Sequence, residues 1–116
     1  MGICMGYENF TVWASEQGVS ALEKFEYYHV SLPLEFTVDP RHTLLYGGLG
    51  EQAFYLEDHD ITYNSHTWGV SPETFATDPK LKEMFTVTAV SYMPEPDNRA
   101  FVASVEGKKY PILGTQ

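Results

Sequence analysis

At 116 residues the chain is long enough to bury one hydrophobic core and too short for two. Sixteen acidic against seven basic side chains give a net charge of −9, which disfavours nucleic acid and anionic membrane surfaces and leaves a small-molecule or protein partner. A single cysteine excludes a disulfide framework and a cysteine-based zinc site, and no run of about twenty apolar residues is present to span a bilayer.

The chain opens on Gly2-Ile3-Cys4-Met5-Gly6-Tyr7-Glu8, with the lone cysteine between two glycines and ahead of a helix. A nucleophile mounted on a sharp strand-to-helix turn needs this arrangement: the side chain projects while backbone passes close by, and glycine removes the Cβ atoms that would clash. Unpaired N–H groups at the helix start then favour the thiolate that attacks a carbonyl carbon. The pattern alone leaves a second reading open, a small buried apolar cysteine. A buried strand must lead into such an elbow and only three residues precede Cys4, so the sequence reads as incomplete at its start.

Tyr7 to about Glu16 is predicted as a helix with Phe10, Trp13 and Ala14 on one face, ended by Gly18. Val19 to Phe36 reads as two short strands with Pro33 at an exit. Gly47-Gly48-Leu49-Gly50 is a turn before a short helix over Glu51 to Leu56, and it matches no phosphate-binding pattern. Ile61 to Tyr63 forms a brief strand that delivers Asn64-Ser65-His66-Thr67-Trp68-Gly69 to a loop. Ser71-Pro72 and Asp78-Pro79 each place a capping side chain before proline, the start signal of two short helices. Strands follow over Thr86 to Met93, Phe101 to Glu106 and Tyr110 to Leu113. The acidic run Glu57-Asp58-His59-Asp60 is a solvated loop and not a metal site, because adjacent residues rarely converge on one ion. The sequon-like Asn9-Phe10-Thr11 lies on the packed helix and is read as chance.

Four blocks together, Gly2-x-Cys4-x-Gly6-x-Glu8, Asn64 to Trp68, Leu81-Lys82-Glu83-Met84-Phe85 and Glu106 to Gln116, resemble γ-glutamyl hydrolase in order and spacing. The first block alone would fit any class I glutamine amidotransferase, the wider superfamily with a Cys-His-Glu triad. The resemblance implies an α/β fold: a three-layer, flavodoxin-like domain with a mostly parallel sheet, here incomplete at both ends. It implies hydrolysis of folyl or antifolyl poly-γ-glutamates without metal or organic cofactor, and a lysosomal, vacuolar or secreted setting. It is also compatible with a homodimer.

Carried over by residue, Cys4 matches the nucleophile and the backbone N–H of Met5 one oxyanion donor. Glu8 matches an acidic residue one helical turn on, and His66 a histidine of the substrate-site loop. Trp68 beside it is the aromatic placed to line the site, where a pteridine or aminobenzoyl ring would stack. In the family, the last block runs on into an aromatic-His-Pro-Glu sequence that supplies the base and its orienting carboxylate. This chain stops at Gln116, so the expectation is a site lacking its base. The alternatives are a γ-glutamyl-binding domain without turnover and the glutaminase domain of an amidotransferase.

Overall fold

The computed structural model describes residues 1–116. A short strand β1 (Gly2–Ile3) turns at once into helix α1 (Met5–Ala14), and a 3-10 turn over Gly18–Ala21 leads to β2 (Glu23–Leu32) and β3 (Glu35–Phe36). Two further 3-10 segments, Pro40–His42 and Gly47–Phe54, precede α2 (Tyr55–Asp58) and β4 (Thr62–Gly69). Helices α3 (Pro72–Thr77) and α4 (Pro79–Met84) follow, then strands β5 (Phe85–Tyr92), β6 (Ala100–Gly107) and β7 (Leu113–Thr115). No helix is long and apolar enough to cross a membrane.

Five strands form the central sheet in the order β1-β7-β6-β5-β3, while β2 and β4 pair as a separate antiparallel ribbon. The mixed α/β class stands, but the sheet is not mostly parallel. Only β1 and β7 run parallel; β7–β6, β6–β5 and β5–β3 are antiparallel. The reason is local, because β5, β6 and β7 follow one another through short turns, and a parallel neighbour needs a long crossover.

β5 and β6 are buried on both faces. On one face Tyr7 and Ala14 of α1, Phe75 of α3 and Leu81 of α4 pack on Phe85, Val102 and Val105. On the other, Tyr46 and Ala53 from the turn segments cover Ala89 and Ala103. Val102 and Val105 would face opposite ways in a regular strand. The pairing advances one residue in β5 and two in β6 between Ala89 and Val90, and this extra residue resets the alternation. A third cluster, Phe25, Leu32, Met93 and Phe101, ties the ribbon to the sheet.

The caps form as expected. The Ser71 side chain accepts from the Thr74 N–H, and Asp78 accepts from the N–H groups of Lys80 and Leu81. The buried stripe of α1 differs: Tyr7, Thr11 and Ala14 are buried with Phe10 beside them, while Trp13 is 86% exposed. At about 100° per residue, Trp13 lies roughly a third of a turn off that stripe. Thr11 is fully buried with its hydroxyl bonded to the Tyr7 carbonyl, so the Asn9-Phe10-Thr11 triplet is packed. The last strand begins later than expected, at Leu113, because Pro111 has no N–H to give a ladder.

Candidate active site

Cys4 is the single residue between β1 and α1, and it makes the whole turn, at φ 51° and ψ −114°. An L-residue there crowds its own Cβ, at a cost of order 1–3 kcal/mol. Both backbone groups are tied down: the Cys4 N–H donates to the Thr115 carbonyl at 2.8 Å, and its carbonyl accepts from the Glu8 N–H at 2.9 Å. The thiol is free and half-buried. Met5 opens the helix, so its N–H has no carbonyl four residues back within α1 and is one of the unpaired donors of the helix start.

The two glycines differ. A Cβ on Gly2 would sit 2.5 Å from Phe10 Cε1 and 2.9 Å from the Gly6 carbonyl carbon, so the close approach expected of the elbow is real there. A Cβ on Gly6 would meet nothing within 4 Å, contrary to expectation. Gly6 lies on the exposed side of the first helical turn, away from the sheet.

Glu8 sits one turn beyond Cys4 and is buried. The Gln116 Nε2 donates to its Oε1 at 3.0 Å, linking α1 to the end of β7. Next to it the Tyr7 phenol is pushed well above its ordinary range, first by burial and then by the Glu8 charge, against a smaller opposing effect of Thr11. Tyr7 is therefore a neutral, fully buried core residue beside Glu8.

His66 lies on a strand, not in a loop. β4 extends through Asn64 to Gly69 because Asn64, His66, Trp68 and Gly69 pair across to β2, with His66 opposite Tyr27 and Trp68 opposite Lys24 and register shifts between these pairs. Asn64 and His66 point inward and Ser65 outward, a two-residue period carried by polar side chains. The His66 ring meets the edge of Phe101 at 5.0 Å between centroids and is 5% exposed. Neither ring nitrogen has a hydrogen-bond partner. Burial lowers its pKa below the ordinary 6.5, and the Trp68 backbone, close by but outside hydrogen-bond geometry, opposes this in part. Trp68 itself is 47% exposed.

A neutral His66 in the fold and a protonatable one in the unfolded chain means that unfolding takes up a proton below pH 6.5. Stability should therefore be full above that value and decline as pH falls through it. Urea unfolding at pH 8 and pH 5.5 checks this: the difference should shrink in His66→Leu, and an unchanged difference would contradict it.

The other histidines are placed elsewhere. His29 Nδ1 bonds the Tyr63 hydroxyl at 2.6 Å, His59 stacks on Tyr55 and bonds its carbonyl, and His42 is exposed in the Pro40–His42 turn. None of them is bonded to the Cys4 thiol.

A cavity of about 370 Å³ opens beside Gln116. Thr115, the acceptor of the Cys4 N–H, lines it, as do Thr62, Asn64 and Gln116. These residues had no assigned role in the sequence reading, although Asn64 stood inside the second block and Thr115 and Gln116 inside the fourth.

No family model matches the chain. Among curated proteins, the "Gamma-glutamyl hydrolase" of Rattus norvegicus is 32% identical across 99% of this chain and 35% of its own length. The protein of that name from Homo sapiens is 29% identical over the same shares. "Gamma-glutamyl hydrolase 1" of Arabidopsis thaliana is 27% identical across 99% of this chain and 33% of its own length. The chain thus spans about a third of the length of the relatives it matches. Along nearly its whole length this chain is similar in sequence to γ-glutamyl hydrolases, and the four blocks around Cys4, His66, Leu81 and Gln116 lie within the matched stretch.

Proposed function

We propose that this chain carries the nucleophile of a thiol hydrolase acting on γ-glutamyl bonds, with folyl poly-γ-glutamates as the substrate class. Cys4 Sγ attacks the γ-carbonyl carbon, and the new C–S bond leaves an oxyanion facing the Met5 N–H. As the C–N bond breaks, the amine leaves with a proton, and water then hydrolyses the thioester. The observation that carries this reading is the Cys4 backbone, φ 51° and ψ −114°, held between a strand end and a helix start. Backbone strain of this kind persists where the surroundings enforce it, and it concentrates at functional sites.

One observation favours a second reading, a γ-glutamyl-binding domain without turnover. The hydrogen bonds of His29 and His59 and the packing of His66 on Phe101 keep these rings engaged away from the thiol. In the hydrolase reading, the base is therefore a group from outside these 116 residues, and none of the four histidines here takes that role. Glu8 is then a polar group one turn from the thiol rather than a proton shuttle, and His66 a buried ring packed on Phe101. Alkylation by iodoacetamide at pH 7 tests the thiol without requiring turnover. Cys4 should react faster in the folded chain than in urea, and slower reaction on folding would sink the reading.

A further inference from the structure

The seven basic side chains divide into two sets. Lys24, Arg41 and Arg99 hold every ion pair of the fold, with Glu26, with Asp39 and Glu51, and with Asp97. The other four, Lys80, Lys82, Lys108 and Lys109, are exposed and gather where α4 meets the turn after β6. The chain has sixteen acidic side chains, and none of them closes on these four.

This corner is pinned in place. Lys108 Nζ donates to the Lys82 carbonyl at 2.6 Å and the Lys108 N–H to the Met84 carbonyl at 2.8 Å, which fixes the turn on the C-terminal end of α4. The chain then folds back over Gly107, whose N–H donates to the Ile112 carbonyl at 2.8 Å. A Cβ at Gly107 would overlap the Tyr110 carbonyl oxygen, so the fold-back needs glycine. Between turn and helix lies a cavity of about 390 Å³, within the range of small-molecule sites. Met84, Tyr110 and Ile112 form its apolar wall, and Tyr110 is 67% exposed. Its charges are the two ammoniums of Lys80 and Lys109 and the one carboxylate of Glu83, which leaves a net positive wall in a chain of net charge −9.

The cavity stands apart from the cysteine. β1 runs parallel to β7 with Gly2 opposite Gly114, and the Cys4 N–H meets the Thr115 carbonyl. Ile112 precedes β7, so the cavity opens at the start of that strand and Cys4 lies at its end, about 10 Å along at about 3.3 Å per residue.

We infer that this cavity binds an amphipathic monocarboxylate, an aryl or branched alkyl body bearing one carboxylate, at a site separate from the Cys4 elbow. The body lies on Met84, Tyr110 and Ile112, and the carboxylate sits between the Lys80 and Lys109 ammoniums. Repulsion from the rest of an acidic surface directs an anion to this corner, and the apolar wall selects one with a body over a bare ion. Binding here is independent of hydrolysis at Cys4.

The test is a titration of the isotope-labelled chain with hydrocinnamate, followed by backbone amide shifts, with hydrocinnamyl alcohol as the uncharged counterpart and acetate as the anion without a body. Saturable shifts are expected over Lys80 to Met84 and Gly107 to Ile112, and both control compounds should bind at least about fivefold more weakly. Lys80→Gln combined with Lys109→Gln should weaken hydrocinnamate about tenfold through loss of two exposed ion pairs. Lys24→Gln, on β2, should leave the affinity unchanged. All three lysines are exposed, so these variants should keep the wild-type thermal midpoint within a degree or so. Shifts that never saturate, equal affinity for the alcohol, unchanged affinity in the double variant, or shifts centred on Cys4 would each overturn the inference.

Discussion

Replacing Cys4 by glycine should stabilise the fold by about 1 kcal/mol while eliminating its thiol chemistry. The stabilisation follows from the backbone. At φ 51° and ψ −114° the cysteine Cβ is crowded, whereas glycine has no Cβ to crowd. The strain relieved is of order 1–3 kcal/mol, and part of it is offset by the extra freedom glycine has in the unfolded chain, about 0.5–1 kcal/mol. Loss of a nucleophile costs at least about 10⁴-fold in rate where a preparation turns over. Cys4→Ala keeps the strain and should lose the chemistry without the gain in stability. Equilibrium denaturation of the two variants checks this; a Cys4→Gly chain less stable than Cys4→Ala would show that the turn is not strained as described.

The second large effect is structural. Asp78 is 1% exposed and joins three helices. It accepts from the Ser15 hydroxyl at 2.6 Å and the Glu16 N–H at 3.0 Å, both past the end of α1. It also caps α4 through the N–H groups of Lys80 and Leu81 and closes α3. Asp78→Ala should cost about 2–4 kcal/mol, the sum of a lost cap and backbone donors left without a partner.

The carboxyl carries a pH signature as well. Burial raises its pKa, and the bonds from Ser15, Leu81, Lys80 and Glu16 together outweigh that, so it lies below the ordinary 3.8. A depressed acid stabilises above the unfolded value and loses that contribution as pH falls through the folded one. Wild type should therefore weaken below about pH 4, and Asp78→Ala should weaken less steeply there. Equal acid slopes in the two chains would contradict the assignment.

The cysteine elbow was legible because its signal is local: glycine, cysteine and a helix start within seven residues. The caps of α3 and α4 were legible for the same reason, since Ser71-Pro72 and Asp78-Pro79 each combine two start signals. β4 was not, because its alternation runs through Asn64, Ser65, His66 and Thr67, where both faces are polar in type and only burial tells them apart. The sheet's direction was misjudged because it depends on pairing order, which the short turns between β5, β6 and β7 decided. Trp13 was placed on one face with Phe10 and Ala14 by its helical spacing, although the buried stripe through Tyr7, Thr11 and Ala14 leaves it outside. The bond between Glu8 and Gln116 spans 108 positions of sequence, beyond the reach of any local pattern. That bond orients the Gln116 amide, leaving its oxygen without a partner.

The most direct test of the central claim, that Cys4 is a mounted nucleophile, is the second-order rate of iodoacetamide alkylation at pH 7, folded against urea-unfolded. The helix start and the half-open thiol predict a folded rate at least about tenfold above the unfolded one. A folded rate equal to or below the unfolded rate would show Cys4 to be a buried structural cysteine and would contradict the account.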